Sequence, residues 1–108
     1  MNIKKKILWA AIENYAGLWE LCWELASEFP ENSISENRNA VQKILLELLT
    51  RKFIALYRHQ WGSESYIIIN ESEVLNSLFA DANWEPPEIG QACIVVSATE
   101  LGETAYDD

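Results

Sequence analysis

The stretch Leu48-Leu49-Thr50-Arg51-Lys52-Phe53-Ile54-Ala55-Leu56-Tyr57-Arg58-His59-Gln60-Trp61 decides the fold. Its left end closes a helical pattern. Val41, Ile44, Leu45, Leu48 and Leu49 recur every three to four residues and predict a buried stripe on a helix from Glu36 to about Lys52. Ser33 or Ser35 is the expected cap, and Ser33-x-x-Glu36 has the spacing of a capping box. Arg51 and Lys52 suit the negative end of the helix dipole. From Phe53 the composition changes to β-formers and predicts a strand to Trp61. Ile54, Leu56 and Arg58 share one face of it, and Tyr57, His59 and Trp61 the other. Gly62–Ser65 reads as a hairpin loop and Tyr66–Ile69 as the returning strand.

Toward the N-terminus, Ile3 to about Glu13 reads as a first helix. Ile3, Ile7, Ala11 and Asn14 lie on one side of it, flanked by Leu8 and Ala10. Trp9 points outward, toward either a second copy of the chain or the C-terminal residues of its own. Tyr15-Ala16-Gly17 predicts a break or kink. The next helix ends near Glu28, because a residue before proline, here Phe29, is pushed out of helical angles. Leu18, Cys22, Leu25, Ala26 and Phe29 form its expected core stripe, with Leu21 on one flank. Trp19 and Trp23 are expected to stack on the other flank, with Glu20, Glu24 and Glu28 opposite. Toward the C-terminus, Asn70 caps a short helix from Glu71 to Ala80 whose apolar side is Val74, Leu75, Leu78 and Phe79. A loop around Trp84-Glu85-Pro86-Pro87 follows, then a strand from Ala92 to Ser97, then a last helix from Glu100 to about Tyr106 capped by Thr99.

The chain has 108 residues, enough for one domain with one core, and a formal net charge of −9. All eight Lys and Arg precede Trp61, against seven glutamates there, a balance of +1. From Trp61 onward ten acidic residues meet no cation, a balance of −10. Affinity for DNA comes largely from cations that displace counterions from phosphates, so the second half should repel a nucleic-acid backbone. No apolar run approaches the ~20 residues needed to cross a bilayer. Glu13 and Asn14 interrupt the apolar stretch behind Lys4-Lys5-Lys6, so that stretch reads as a helix start and not as a signal peptide. The expectation is a cytoplasmic protein without a membrane partner.

Little points to catalysis or a cofactor. Cys22 and Cys93 read as buried free thiols. His59 is the single histidine and no Cys-x-x-Cys exists, so zinc-ligand spacing is missing. Glu20, Glu24 and Glu28 fit a solvated face better than a metal site, which would draw ligands from other helices. No motif marks a nucleophile for His59 to activate, and the glycines at 17, 62, 90 and 102 form no phosphate-cradling loop. The expectation is a non-enzyme without cofactor. Five tryptophans remain to be explained. Trp61 and Trp84 can pack on each other and pin the segment between them. Alternatively Trp9, Trp61 and Trp84 form a protein-binding surface, with Glu64, Glu85 and Glu88 as a rim that steers a basic partner.

Three helices followed by a hairpin, with Leu48-Leu49-Thr50-Arg51-Lys52-Phe53-Ile54 at the exit of the third, resemble the winged helix-turn-helix regulators of the PadR and MarR types. In that class a glycine is usual where Lys52 stands. Ser97-Ala98-Thr99-Glu100-Leu101-Gly102 is similar to the Thr-x-x-Gly stretch behind the second wing strand. The resemblance implies an α+β fold in one domain, residues 1–108. A helical part, 1–52, precedes an enlarged wing and short C-terminal helix, 53–108. Cys93 to Ser97 becomes the returning wing strand, and Gly62 to Gly90 an insertion with its own strand and helix. Trp84-Glu85-Pro86-Pro87 in this layout also resembles small acidic bacterial proteins that carry no assigned activity. The resemblance further implies that the third helix enters the major groove with Asn37, Arg38, Asn39, Gln42 and Lys43 available for base edges. Charge argues the other way. The leading expectation is therefore a non-catalytic protein-interaction module with weak or no DNA binding, its partner a basic protein or a second copy. A DNA-binding transcriptional regulator is the alternative.

Overall fold

A computed structural model describes residues 2–107. Helix α1 spans Ile3–Glu13, and the Asn2 side chain caps it by accepting from the Lys4 N–H at 2.8 Å. Strand β1, Ala16–Gly17, follows, then α2, Leu18–Glu28, and α3, Ile34–Thr50. Strand β2, Ile54–Gln60, leads through a turn to β3, Tyr66–Ile68. Helix α4, Glu71–Phe79, a 3-10 turn over Asp81–Trp84, strand β4, Ala92–Ala98, and helix α5, Glu100–Tyr106, complete the described chain. The result is an α+β fold whose antiparallel sheet has the order β1-β4-β2-β3.

The break expected at Tyr15-Ala16-Gly17 separates α1 from α2, and it carries a strand that the sequence did not reveal. Ala16 pairs with Val96 and Gly17 with Val95, so these residues form an edge strand on β4. Gly17 is required there for space: a Cβ would lie 2.4 Å from the Trp19 ring, which folds back over it. Helix α3 begins two residues earlier than expected. Ser33 and Glu36 close the reciprocal cap, with Ser33 N–H to Glu36 Oε1 at 2.8 Å and Glu36 N–H to Ser33 Oγ at 3.1 Å.

Helix α3 ends in a Schellman arrangement. The Phe53 N–H donates to Leu48 O at 2.9 Å and the Lys52 N–H to Leu49 O at 3.0 Å. Lys52 sits at φ 63°, the left-handed position usually filled by glycine. Thr99 ties the other end of the sheet to this exit. Its N–H donates to Phe53 O and its hydroxyl to Lys52 O, at 2.9 and 2.7 Å. Gly102 then passes so close that a Cβ would stand 2.0 Å from Phe53 O.

The main core lies between the helices and one sheet face. Ile7, Leu18, Leu25, Val41, Leu45, Leu48, Leu56 and Val96 are almost fully buried in it. On the other sheet face, Trp19 covers Cys93 and Val95, with Tyr15, Tyr57 and Trp61 packed around them. The expected Trp19–Trp23 stack is not formed: Trp19 is 3% exposed and Trp23 58%. Nor do Trp61 and Trp84 pack on each other. Trp61 meets Trp19 edge-on at 5.4 Å, and Trp84 donates its indole N–H to Leu78 O at 2.7 Å. Trp9 lies against Tyr106 of α5, ring centroids 5.1 Å apart, so its own chain covers much of it. Among the described residues no helix is long and apolar enough to cross a membrane.

Candidate interaction groove between α2, α3 and the 3-10 turn

The segment from β3 to β4 folds back over the N-terminal half of α3. Leu78 on α4 is fully buried, and its carbonyl accepts from both Trp84 and the Gln42 amide, the latter at 3.4 Å. Asp81 accepts from the Arg38 guanidinium at 2.5 Å. That guanidinium lies 5.5 Å from the centroid of the Trp84 ring. One carboxylate and one aromatic face thus hold a single arginine.

This placement changes the standing of the five side chains singled out for DNA. Asn37 is 3% exposed and its Oδ1 accepts from the Asn32 amide at 3.2 Å. Gln42 is buried under Leu78 and Arg38 is held by Asp81. Asn39 and Lys43 remain on the surface. Two of the five are thus withdrawn from the surface by burial and a third is engaged.

The protein-interaction candidates divide as well. Trp84 is 7% exposed, which corrects its reading as a surface anchor, although it floors a groove. Glu85 is on the rim of that groove and Glu88 borders the next hollow, of about 380 Å³. Trp61 and Glu64 belong to the β2–β3 turn, where the Trp61 N–H donates to Gln91 O at 2.9 Å. Trp9 stands apart with α5. The six residues therefore do not form one surface.

What does gather is a groove of about 540 Å³ between α2, the start of α3 and the 3-10 turn. Trp19, Cys22 and Trp84 form its floor, and Trp23 and Ile34 its exposed apolar walls. Ile34 is 84% exposed. The sequence places Cys22 in the core stripe of α2 and Trp23 on its flank, and Ile34 precedes the helix expected from Glu36. The available signal was the width of the apolar band on α2, from Leu18 through Ala26, too broad for one packing stripe. Burial pushes the Cys22 thiol up to about 11, with the nearby Arg38 charge partly opposing it. Cys93 is also raised by burial and, less, by the Glu20 charge, and its Sγ donates to His59 O at 3.4 Å. Both cysteines are free, in chemically quiet surroundings.

His59 is 4% exposed. Its Nδ1 lies 2.8 Å from Ser65 O, and its ring is stacked on Tyr66 at 4.2 Å. A donor Nδ1 facing a carbonyl and a covered ring make it a packing residue. Among the described residues no group of three or more His, Cys, Asp or Glu is placed to hold a metal ion. Comparison of the chain with protein-family models, with curated proteins and with solved structures finds no match.

Proposed function

We propose that this chain is a non-catalytic protein-interaction module on a winged-helix-like frame, with weak or no affinity for DNA. Two features support the frame. The order β1-β4-β2 behind α2 and α3 is that of a wing returning to the strand between the first helices. Lys52 adopts the backbone angle for which the resembling regulators use glycine.

The observation that carries the functional reading is the lid on α3. Residues Leu78 to Trp84 engage Arg38 and Gln42 on the face that would have to enter a major groove, and they bring the exposed carboxylate of Asp81 with them. Opening the lid would strip Arg38 and Gln42 of their partners. The acidic balance from Trp61 onward adds repulsion from phosphate. A second copy is the weaker choice of partner through the first helix, because Tyr106 already packs on one side of Trp9 there, which leaves it 40% exposed.

The test is a fluorescence-anisotropy titration with mixed-sequence duplex DNA at physiological salt. Binding no tighter than the ~10⁻⁴–10⁻⁶ M of generic non-specific association is expected. Submicromolar binding that Lys43→Ala weakens would overturn the reading in favour of a regulator.

A further inference from the structure

We infer that the groove between α2, α3 and the 3-10 turn docks a cationic segment of a partner protein, seated by one large apolar side chain. The inference rests on the interaction-module reading and adds to it the place and the chemistry. Trp23 and Ile34 project from two different helices, 58% and 84% exposed, onto the two sides of one cleft. Isolated exposed apolar residues are ordinary, but two that wall a cleft floored by buried tryptophans form a contiguous apolar patch. At about 540 Å³ the cleft is of ligand-site size. It is partly open to solvent, so an anchoring side chain can enter it while the segment that carries it stays at the surface.

Charge selects the occupant. The unmatched carboxylate on the rim is Glu85, with Glu88 beyond it. The one cation in the lining, Arg38, is already matched by Asp81. Nothing basic follows in the chain from Trp61 on. An acidic or phosphate-bearing ligand would meet like charge, whereas Lys or Arg beside an apolar anchor would meet complementary charge. A second copy of this chain is a poor source of such a segment. Four of its eight cations, Lys4, Lys6, Arg38 and Arg51, already face carboxylates of their own chain, and its net charge of −9 opposes the approach of a second acidic molecule.

The test is selection of a phage-displayed random peptide library on the full chain, then anisotropy titration of the consensus peptide. The expected consensus has Lys or Arg flanking a single Trp, Phe or Leu. Trp23→Ala and Ile34→Ala should each weaken the peptide about tenfold. Glu85→Lys should weaken it about threefold or more, and the wild-type affinity should fall with salt. Both walls are exposed, so thermal midpoints should stay near wild type. If a variant does destabilise, shifts of the Trp23 and Trp84 indole N–H signals in the wild type, on adding peptide, locate the site independently.

No selected peptide, an acidic or uncharged consensus, or binding indifferent to both wall substitutions would overturn the inference. So would self-association abolished by Trp23→Ala, which would assign the groove to a second copy. The DNA titration separates the two levels. Peptide failure with DNA still weak sinks the groove alone, whereas tight DNA binding sinks the module reading.

Discussion

Strands β3 and β4 both pair with β2, and they do so in opposite ways. Strand β4 comes from far along the chain and matches β2 over seven residue pairs, from Ile54 with Ala98 to Gln60 with Ala92. Four consecutive residues of it, Cys93 to Val96, are buried. Strand β3 follows β2 after a short turn, yet it pairs at only three positions and all three of its residues are exposed. The long-range ladder holds the frame. The local hairpin is the root of the segment that leads from β2 to β4, fixed by Ile69, Leu78 and Trp84 and by the Arg38–Asp81 pair. A part held by few buried side chains is expected to open at lower cost than the part it covers.

The largest effect should come from attacking each part at its best-buried side chain. Leu45→Ala empties a fully buried site in α3 and should cost about 2–5 kcal/mol of global stability, read from denaturant midpoints. Trp84→Ala removes a comparable amount of packing, but from the segment between β2 and β4. Amide exchange should then rise between residues 70 and 90 while the β2–β4 ladder keeps its protection. If Trp84→Ala lowers ladder protection by as much as Leu45→Ala does, the segment and the frame are one cooperative unit and the distinction fails.

Smaller effects are expected at the junction where α3 leaves for β2. Gly102→Ala would place a methyl against Phe53 O, and no flexible side chain is there to yield. A cost of about 1–3 kcal/mol is expected, from overpacking, with thermal unfolding as the readout. Lys52→Gly works in the opposite direction. It relieves a left-handed backbone at an exposed residue and should stabilise by about 1 kcal/mol. Both changes act on the frame, so neither should alter exchange in the segment between β2 and β4 beyond the global shift.

What was legible in the sequence follows the range of the forces. The Ser33–Glu36 cap, the helix α1 and the end of α2 before Pro30 are set by neighbours within a turn, and they were read correctly. The unusual Lys52 was visible as a residue standing where glycine is customary. Strand β1 was not legible. Two residues carry no periodicity, and Ala16 and Gly17 are a strand only because Val95 and Val96 run beside them. The burial of Asn37 and Gln42 was hidden for the same reason. Both are polar residues at the edge of an amphipathic helix, and only the arrival of Leu78 and its neighbours takes Gln42 out of water. The groove needed the same arrival: without the 3-10 turn, Trp23 and Ile34 would be two unrelated surface residues.

The smallest effect separates the two parts by acid. Hydrogen bonds from Lys4 to Glu47, from Lys6 to Glu28 and from the Ser33 N–H to Glu36 hold these carboxyls below their ordinary value of 4.5. A carboxyl depressed in the folded state stabilises fully above its unfolded value, and that contribution disappears as pH falls through the folded one. Lys6 is the mirror case, raised above 10.5 chiefly by its bond to Glu28, so its contribution is lost as pH rises through the raised value. Lys4→Met should therefore lower the midpoint slightly near about pH 7, and the gap should close as pH falls through the lowered folded value of Glu47. A gap that stays constant through that fall would mean that the Lys4 chain contributes by packing rather than by charge. Lys4 and Glu47 join α1 to α3, beneath the frame and away from Trp84. Exchange of the Trp84 indole proton should accordingly follow wild type across that pH range, and a change there would show that the lid senses the far side of α3.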